Sequence, residues 1–432
     1  MLHSSFPVAI IGAGPVGLAA AAHLVKQSQP FILFESGPTV GTNFLDYAHV
    51  RLFSTWEYNM DSAAKSLLLK HSTRLPDPSQ LPYGGDIVSE YLEPLAALPE
   101  LKPSIHLNSH VVHISRKGID KVKTEGRDQL PYEIHVKTLN HGIQQFQAKA
   151  VIDATGTWQN PNPISSGGLA LPKEKNANIH YGIPDVLGAD RKQFGNKRVV
   201  VVGSGHSAFN SILDLVALKK DFPSTTLSWI IRRSRTEEVL GGGSNDQLPE
   251  RGALGTRVQD EISKGNIDAH VSTLIQSYRL NEDGTNSLTG VQNGTPTEIG
   301  PFDRMIANAG ARPNFEFLQE IRYAFDPALE SVSELAPLID PNVHSCGTVR
   351  PHGEKELRQP EKDFYIVGAK SYGRAPTFLM ATGYEQVRSI VSHLSGDEEA
   401  AQRVELNLPE TGVCRVNPLS IASRSNDGSC CN

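Results

Sequence analysis

The hydrophobic positions of the chain form the same pattern twice. Near the start, an apolar run at residues 7–11 is followed by a glycine-rich turn and an alanine-rich stretch at 18–25. The pattern returns with four consecutive valines ending at Val202, a second glycine turn and an apolar helical pattern at 208–218. Further apolar runs follow at 31–34 and 227–231. Short, fully apolar runs are typical of buried parallel strands, so the chain is predicted to contain two βαβ units.

More elements are predicted outside the two units. They are a hairpin at 111–115 and 132–136, a strand at 150–154, returning strands at 303–308 and 364–367, and a helix at 375–394. A Pro- and Gly-rich stretch at 160–172 is typical of a connection between domains. Asp246 and Arg251 lie among glycines in a polar stretch, which is predicted to be either a lid or a solvated connection. The stretch beyond residue 406 lacks periodicity and is predicted to be a tail.

The first glycine turn carries the residues expected of a dinucleotide-binding site. Gly12 permits a tight turn, Gly14 lets backbone amides approach a pyrophosphate, and Gly17 permits close packing of the helix. Pro15 begins that helix, whose positive end favours phosphate. Glu35 lies 35 − 12 = 23 residues beyond the first glycine, at the end of the next strand. Its carboxylate is suited to accept ribose hydroxyls, and this context predicts an FAD site.

The second glycine turn has alanine at the third position, which the pattern allows. The residues predicted to hold its dinucleotide are Gly203, Ser204, Gly205, His206 and Ser207. The next strand runs into Arg232, Arg233 and Arg235 with no carboxylate at its end, and guanidinium groups pair well with a 2′-phosphate. NADPH is therefore favoured over NADH. The alternative is that these arginines are simply exposed on a loop. Because Glu237 and Glu238 lie nearby in sequence, NADH stays possible as the nucleotide.

This order predicts an α/β protein with two Rossmann-like, three-layer nucleotide-binding domains, the NADPH domain being inserted in the FAD domain. At 432 residues the chain is long enough for two cores. The first part of the FAD domain is predicted at 1–160, the NADPH domain at 161–305, the returning FAD segment at 306–395, and a C-terminal tail with adjacent cysteines at 396–432.

The chain resembles the two-dinucleotide-domain flavoproteins, the superfamily of the flavin-dependent monooxygenases and the pyridine nucleotide-disulfide oxidoreductases. Both glycine turns, the strand end at 154–156 and the stretch at 307–313 carry the resemblance, which extends to about residue 395. Residues 157–158 and 180–182 resemble the monooxygenase branch. In such proteins the fold holds one tightly bound flavin and one exchangeable hydride donor, and hydride passes between the two cofactors.

The resemblance also implies which residues lie near the cofactors. Further FAD contacts are expected at Val112, Thr155, Gly156, Gly368 and Thr377, and a further NADPH contact at Gly310. The segment after the first βαβ unit passes the flavin in this superfamily, so His49 and Arg51 are candidates to stabilise a reduced or peroxy flavin anion. A buried core histidine and a surface arginine are the alternative at these two positions.

Three departures from the superfamily stand beside the matches. No cysteine precedes Cys346, so the flavin-side cysteine pair of the disulfide-reductase branch is missing. Only the distal part of the Phe-x-Gly-x-x-x-His signature of the monooxygenases is recognisable. The late flavin strand usually ends in Gly-Asp, whereas this one continues as Gly368-Ala369-Lys370. The carboxylate that holds the ribityl chain is absent, and a looser hold on FAD is expected.

Adjacent cysteines, Cys430 and Cys431, lie near the end of the chain. Neighbouring Cα atoms are about 3.8 Å apart, below the usual disulfide range, whereas two adjacent thiolates are suited to a soft metal or metalloid. A mobile cysteine tail resembles that of mercuric reductases, and the chain bears a weaker resemblance to flavoproteins associated with arsenic resistance. An incidental exposed pair is the alternative, because termini tolerate many sequences.

The predicted function is that of an FAD-containing, NADPH-dependent oxidoreductase. Monooxygenation of a soft nucleophile or a carbonyl through a C4a-hydroperoxide, with dioxygen as co-substrate, is favoured. One alternative is a reductase acting on a metal, metalloid or thiol presented by Cys430 and Cys431. Another is a flavin-based redox sensor with little turnover. No Ser/His/Asp triad or recognisable metal-ligand spacing competes with these interpretations.

Charge and composition narrow the set of partners. The chain has 41 basic and 47 acidic residues, a formal charge of −6 and no dense basic block, so nucleic acid is not expected as a partner. Residues 1–6 lack a basic leader, and glycines break the apolar run that follows, so neither a signal peptide nor a membrane span is expected. A cytoplasmic protein with a small-molecule substrate is predicted, and homo-oligomer formation stays open.

Overall fold

The structure of the protein is a computed structural model that describes residues 6–172, 174, 178–240, 246, 248–343 and 351–406. The chain begins with β1 (Val8–Ile11), α1 (Pro15–Lys26), β2 (Phe31–Phe34), α2 (Thr42–Leu45), α3 (Trp56–Asn59), α4 (Ser62–Lys70), α5 (Gly84–Asp86), a π-helix (Ile87–Leu92), α6 (Glu93–Ala96), a 3₁₀ turn (Lys102–Ser104), β3 (Ile105–His106), β4 (Ser109–Arg116), a 3₁₀ turn (Arg127–Gln129), β5 (Tyr132–Thr138), β6 (Gly142–Ala148) and β7 (Ala150–Asp153).

The middle of the chain contains β8 (Ile179–Tyr181), α7 (Arg191–Phe194), β9 (Arg198–Val202), α8 (His206–Leu218), β10 (Thr226–Ile230), a 3₁₀ turn (Thr236–Glu238), α9 (Pro249–Ser263), β11 (Asp268–His270), β12 (Thr273–Leu280), β13 (Asn286–Gln292), β14 (Thr295–Phe302) and β15 (Arg304–Ala307). The last part contains a 3₁₀ turn (Glu316–Leu318), α10 (Ala336–Ile339), α11 (Glu354–Leu357), β16 (Phe364–Ile366), α12 (Ala369–Tyr372), α13 (Met380–Leu394) and α14 (Glu398–Gln402).

The first parallel sheet is built from both ends of the chain. Its strand order is β16-β7-β1-β2-β3, so the late strand β16 completes the sheet that β1 begins. Helices α1 and α13 pack together in the core that covers the sheet. The antiparallel sheet β4-β5-β6 adds a further layer, and Phe34 of β2 meets Phe146 of β6 with ring centroids 4.9 Å apart.

The second parallel sheet has the order β11-β10-β9-β15-β8 and lies between the two parts of the first domain in sequence. Its central strand β9 is buried through its valines because both faces are covered. Val199 and Val201 pack in the core formed with α8 and α9, whereas Val200 and Val202 pack with β12, β13 and β14. Strand β15 continues the second sheet to Ala307, so the return crossing follows that residue.

The predicted fold class is thereby confirmed, with two three-layer units built on parallel sheets. Several elements were not predicted: α4, α9 and the whole sheet β12-β13-β14. The stretch around Arg251, predicted to be loop, is helical from Pro249 onward. The side chain of Asp246 accepts from the backbone N–H of Leu248 at 2.9 Å and pairs with Arg251, so it ties the approaching chain to the first turn of α9.

The last long helix begins later than predicted. The pattern gave a start at residue 375, but α13 begins at Met380, after the extended residue Leu379. The intervening loop is held elsewhere, because the N–H of Arg374 donates to the carbonyl of Leu329 at 2.7 Å. Gly373 also adopts a φ of +60°, which ends α12 and turns the chain away from a helical path.

Among the residues that the structure describes, no helix combines the length and apolarity needed to cross a membrane.

Candidate functional site

The first glycine turn has the geometry of a ligand cradle. A Cβ on Gly12, whose φ is +99°, would lie 2.8 Å from the carbonyl oxygen of Ala154, and one on Gly17 would lie 1.9 Å from the carbonyl oxygen of Gly12. A Cβ on Gly14 would meet nothing within 4 Å. Two glycines therefore allow close backbone packing, while the third leaves open space at the start of α1, where a pyrophosphate fits.

The carboxylate of Glu35 lies against this turn. The residue is 8% exposed, and its Oε2 accepts from the N–H of Ala13 at 2.7 Å while Oε1 accepts from the N–H of Gly37 at 2.7 Å. A carboxylate offers about four acceptor positions, so capacity remains for ribose hydroxyls. This placement agrees with the predicted role of Glu35 in the FAD site.

Three of the other predicted FAD contacts, Val112, Gly156 and Gly368, lie at the ends or irregularities of strands. The register of β4 against β5 shifts between Val111 and His113, so Val112 leaves the regular ladder as a bulge. Gly156 follows β7 with a φ of +69°, and Gly368 follows β16 with a φ of +67°. Gly156 has open space at its Cβ position. These backbone positions fit a ligand that approaches the carboxyl edge of the first sheet.

Two of the residues predicted to lie beside the flavin each have a buried polar atom without a hydrogen-bond partner among the described residues. These atoms are Nε2 of His49 and Oγ1 of Thr377, which lie 328 residues apart in sequence, 377 − 49 = 328. Buried polar atoms are almost always paired in folded proteins. The two orphaned atoms therefore fit a polar group of a ligand, and they belong to the two segments expected beside the flavin.

The end of the late flavin strand holds a buried ion pair that the sequence analysis missed. Nζ of Lys370 donates to Oδ2 of Asp153 at 2.7 Å and to Oγ1 of Thr155 at 3.2 Å, and both charged side chains are fully buried. Lys370 also lies 4.5 Å from the ring centroid of Phe317. Burial lowers the pKa of Lys370, although Asp153 opposes the shift. The pair joins the end of β7 to α12, which follows β16. Lys370 is next to Ala369, the position that usually carries the carboxylate for the ribityl chain in the superfamily that this chain resembles.

The second glycine turn repeats the geometry of the first. Gly203 has a φ of +135°, and a Cβ there would lie 2.2 Å from the carbonyl oxygen of Asn308, whereas one on Gly205 would meet nothing within 4 Å. Ser204 is exposed, and His206 and Ser207 form the first turn of α8. The cradle at Gly205 is thus open for a second pyrophosphate.

The imidazole of His206 is neutral near pH 7 at this turn. Burial, reinforced by the positive charge of Arg251, lowers the pKa of His206 to about 4, while Asp246 opposes the shift. The guanidinium of Arg251 is itself paired, because its Nε and Nη2 donate to Asp246 at 2.7 and 2.9 Å. The ion pair lies beside the second turn, and the role of this stretch as a lid or a solvated connection stays a prediction.

Arg232 and Arg233 lie exposed just beyond β10, as the charge pattern predicts for a 2′-phosphate site. Within the described part of the chain neither side chain has an ion-pair partner, whereas Arg235 pairs with Glu238 at 3.6 Å. Glu237 is exposed close by. Two uncompensated guanidinium groups at this strand end favour a nucleotide with an additional phosphate.

Replacing Arg232 and Arg233 together with alanine is expected to weaken NADPH binding about ten- to a hundredfold, because charge-assisted hydrogen bonds to the 2′-phosphate are lost. NADH affinity should change little. Binding of both nucleotides is measured by titration of the purified protein, with Arg279→Ala on β12 as the exposed-arginine control. An equal loss for NADH and NADPH contradicts the assignment.

The two crossings between the sheets lie side by side. The N–H of Asn162 donates to the carbonyl of Gly310 at 2.9 Å, and the N–H of Arg312 donates to the carbonyl of Asn160 at 3.0 Å. Gly310, predicted as an NADPH contact, has a φ of +83° and sits in this paired crossing. The structure thus joins the domains by two hydrogen-bonded connections rather than by two separate linkers.

One segment of the first domain touches both glycine turns. The N–H of Gly41 donates to the carbonyl of Ala13 at 3.0 Å, and the ring of Phe53 lies 5.0 Å from that of His206. His49 and Arg51 lie between these contacts, and Arg51 is exposed. Both residues thus belong to the segment that spans the two turns, and their catalytic roles stay predictions.

The predicted soft-metal ligands Cys430 and Cys431 lie outside the described residues, as do Cys346 and Cys414. Within the described ranges, no group of three or more His, Cys, Asp or Glu side chains is arranged to hold a metal ion.

Comparison with known proteins places this geometry in context. The family described as pyridine nucleotide-disulphide oxidoreductase matches residues 9–336. The probable indole-3-pyruvate monooxygenase YUCCA7 of Arabidopsis thaliana is 27% identical over 215 residues, or 48% of this chain and 43% of that protein. The flavin-containing monooxygenase FMO GS-OX-like 3 of the same plant is 24% identical over 241 residues, or 50% of each chain. The chain therefore spans about half the length of these curated relatives.

Solved structures share the fold over most of the chain. The bacillithiol disulfide reductase Bdr (YpdA) from Bacillus cereus superposes with a TM-score of 0.66 at 17% identity, covering 90% of this chain and 99% of that one. DfoA, the cadaverine monooxygenase of Erwinia amylovora, whose structure is bound to FAD, gives a TM-score of 0.65 at 14% identity and covers 94% and 99%. The predicted two-dinucleotide flavoprotein class is confirmed, with FAD and NADPH as cofactors. The association with arsenic resistance stays a prediction.

Proposed function

Because this chain belongs to the pyridine nucleotide-disulphide oxidoreductase family, we propose that it is an oxidoreductase that uses NADPH and FAD to oxygenate a small molecule. The observation that carries the proposal is the pairing of two open glycine cradles, one beside the carboxylate of Glu35 and one followed by the uncompensated Arg232 and Arg233. Opposite charges at corresponding strand ends suit two different dinucleotides, one held as a flavin and one exchanged as a hydride donor.

Each residue of the two cradles has a physical role in this proposal. Backbone N–H groups at Gly14 and Gly205 would donate hydrogen bonds to the pyrophosphates of the two cofactors. The carboxylate of Glu35 would accept hydrogen bonds from the ribose hydroxyls of FAD. The unpaired polar atoms of His49 and Thr377 would be available to polar groups of the flavin. When bound, FAD supplies the capacity to accept a hydride and to pass electrons to an acceptor. The side chains bind, orient and exclude water, and none acts as a covalent nucleophile.

The acceptor distinguishes the monooxygenase from the disulfide-reductase branch of the superfamily. The chain has no cysteine before Cys346, so no thiol pair is present in the first part of the FAD domain or at either crossing between the two sheets. Dioxygen therefore serves as the acceptor in our proposal. Oxygenation also agrees with two proteins that this chain resembles, the probable indole-3-pyruvate monooxygenase YUCCA7 in sequence and the cadaverine monooxygenase DfoA in fold. We propose a soft nucleophile or a carbonyl compound as substrate, with a cytoplasmic location.

The proposal is tested by measuring NADPH and oxygen consumption with a panel of sulfides, amines, ketones, arsenite and mercuric ion. A substrate of the proposed class should accelerate NADPH oxidation, consume oxygen in equal amount and suppress hydrogen peroxide release. Oxygen-independent consumption of NADPH with mercuric ion, which two electrons reduce to the metal, contradicts it and supports the reductase. Very slow turnover with every compound contradicts it and supports a flavin-based redox sensor.

One structural feature keeps the reductase as the second candidate. The last described residues pack on α13. Arg388 of this helix donates to the carbonyl of Ala400 at 2.8 Å, and the N–H of Glu405 donates to the carboxylate of Glu385 at 3.2 Å. Thr377 lies three residues before α13, 380 − 377 = 3, so the last described residues pack on a helix that follows the predicted flavin-side loop. A soft metal carried by the stretch that contains Cys430 and Cys431 is the alternative substrate.

Deletion of all residues after Leu406 separates the two candidates. The monooxygenase proposal predicts that FAD content, NADPH oxidation and substrate oxygenation remain within about twofold of the intact protein, because it gives no residue after Leu406 a role. The matched control is the full chain with Cys430→Ser and Cys431→Ser. Loss of turnover in both variants, with retained NADPH oxidation by an artificial acceptor, identifies the cysteine-dependent reductase instead.

A further inference from the structure

We infer that Arg51, a residue of the FAD domain, binds the nicotinamide-side phosphate of the NADP(H) pyrophosphate across the seam between the domains. The inference rests on the proposed function and assigns Arg51 to the hydride donor rather than to the flavin. It begins from the segment that links the two glycine turns, residues 41–53. That segment starts with the hydrogen bond from Gly41 to Ala13 and ends with the packing of Phe53 on His206.

Phe53 is anchored in the second domain although it belongs to the chain of the first. Its side chain packs against the core that includes Phe209 and other residues of α8, and its ring lies 5.0 Å from that of His206, the first residue of α8. Trp158 in the crossing adds a second tie, because its Nε1 donates to Asp46 at 2.8 Å. The position of the segment is thus fixed relative to the Gly205 cradle.

The backbone around Arg51 is extended, which determines where successive side chains point. The N–H of Leu52 donates to the carbonyl of Pro82 at 2.8 Å, and the N–H of Gly84 donates to the carbonyl of Val50 at 2.9 Å. Val50 is buried and Leu52 packs against the core of the first domain. Because side chains alternate along an extended chain, Arg51 shares the opposite face with Phe53, towards the second domain.

The distance from Phe53 to Arg51 suits contact with a ligand in the second cradle. Two extended residues span about 7 Å, so the guanidinium of Arg51 lies within side-chain reach of the start of α8, on the side that leads back to His49 and the first turn. Arg232 and Arg233 occupy the other end of the cradle, beyond β10. Separate cations therefore stand beside the two positions at which NADP(H) carries phosphate, Arg51 beside the central pyrophosphate and Arg232 and Arg233 beside the 2′-phosphate.

The charges around the seam leave Arg51 available for an anion. Within the described residues no ion pair involves Arg51, whereas the nearby Arg251 is neutralised by two hydrogen bonds to Asp246. His206 carries no charge near neutral pH, since burial lowers its pKa to about 4. An exposed arginine with two packed neighbours and no partner is suited to a fork of charged hydrogen bonds with phosphate.

The test compares binding of NADP⁺ and of 2′,5′-ADP to the FAD-loaded protein by calorimetric titration. Arg51→Ala should weaken NADP⁺ binding about ten- to a hundredfold and leave 2′,5′-ADP binding unchanged, because the latter lacks the nicotinamide-side phosphate. Arg51→Lys should restore part of the affinity, since lysine keeps the charge but not the fork. Arg74→Ala removes an exposed arginine of the same domain and should change neither affinity.

The possible failures are distinguishable. Unchanged NADP⁺ affinity in Arg51→Ala overturns the inference, as does an equal loss of 2′,5′-ADP affinity, which would indicate a general disturbance of the domain. FAD content and melting temperature, measured on the same samples, should match the wild type because Arg51 is exposed. Failure of the proposed function appears differently, as wild-type protein that binds neither ligand.

Discussion

Replacing Lys370 with methionine is expected to lower the free energy of unfolding by about 3–5 kcal/mol, which is typical when one member of a buried ion pair is removed. Methionine fills most of the space, but Asp153 stays fully buried with only the N–H and hydroxyl of Thr155 to stabilise its charge. The change also removes the side-chain tie between β7 and α12, while the backbone ladder between β7 and β16 stays in place. Chemical denaturation followed by circular dichroism measures the loss.

Two further variants make the Lys370 result interpretable. Lys117→Met removes an exposed lysine and should change the free energy of unfolding by less than about 0.5 kcal/mol. Adding Asp153→Asn to Lys370→Met removes the unpaired charge, keeps acceptance from Thr155, and should recover a large part of the stability. A Lys370→Met protein as stable as the wild type, or a double variant less stable than the single one, contradicts this account of the pair.

Gly14→Ala is expected to reduce FAD affinity about ten- to a hundredfold while leaving the fold intact. The added methyl group enters the open space of the first cradle, and overpacking at a filled site costs about 1–3 kcal/mol. Gly14 has φ −76° and ψ −176°, a conformation that alanine adopts readily, so the protein without cofactor should fold normally. FAD retained through gel filtration and the melting temperature without cofactor are the two measurements.

The glycines of the chain provide the controls for Gly14→Ala. Gly167→Ala adds a methyl group at another open position, remote from both turns in sequence, and should leave FAD content unchanged. Gly17→Ala places Cβ 1.9 Å from the carbonyl oxygen of Gly12 and should destabilise the domain itself. Full FAD retention by Gly14→Ala would mean that the pyrophosphate does not approach this turn.

The two βαβ units could be predicted because local signals agree with the tertiary structure there. Consecutive valines from Val199 to Val202 are buried on both faces of β9, so no polar residue interrupts the run, and a positive φ at Gly203 requires glycine at its end. The same holds for β1 and Gly12. A strand that is buried on one face only has polar residues between its apolar ones, so its hydrophobic pattern is weaker. The antiparallel strands β12, β13 and β14 were not predicted for that reason.

Features that depend on contacts distant in sequence could not be predicted. Asp153 and Lys370 are separated by 217 residues, so neither position reveals the other, and the sequence showed only that a carboxylate was lacking at Ala369. Helix α9 is sparsely apolar and contains Gly255, whose Cβ position lies 1.8 Å from the carbonyl oxygen of Leu240. A glycine in a sparsely apolar stretch predicts a loop, and only the tertiary packing shows that a helix needs glycine there.

The candidate site combines residues that the sequence identified with a geometry that it did not contain. The spacing of the glycines and the charged residues at the following strand ends identified Glu35, Arg232 and Arg233 as separate candidates. The contact between Phe53 and His206 joins the two domains through residues 153 apart, 206 − 53 = 153, and carries no motif. Domain arrangement therefore decides the role of Arg51, which its neighbours in sequence leave ambiguous.

Anaerobic mixing of the purified protein with NADPH, followed in the visible flavin spectrum, tests the central claim most directly. We predict that the protein as purified is yellow, that NADPH bleaches it faster than NADH at equal concentration, and that admission of oxygen restores the colour. A protein that holds no FAD, or one whose bound FAD is not reduced by either nucleotide, would contradict the assignment of paired FAD and NADPH sites.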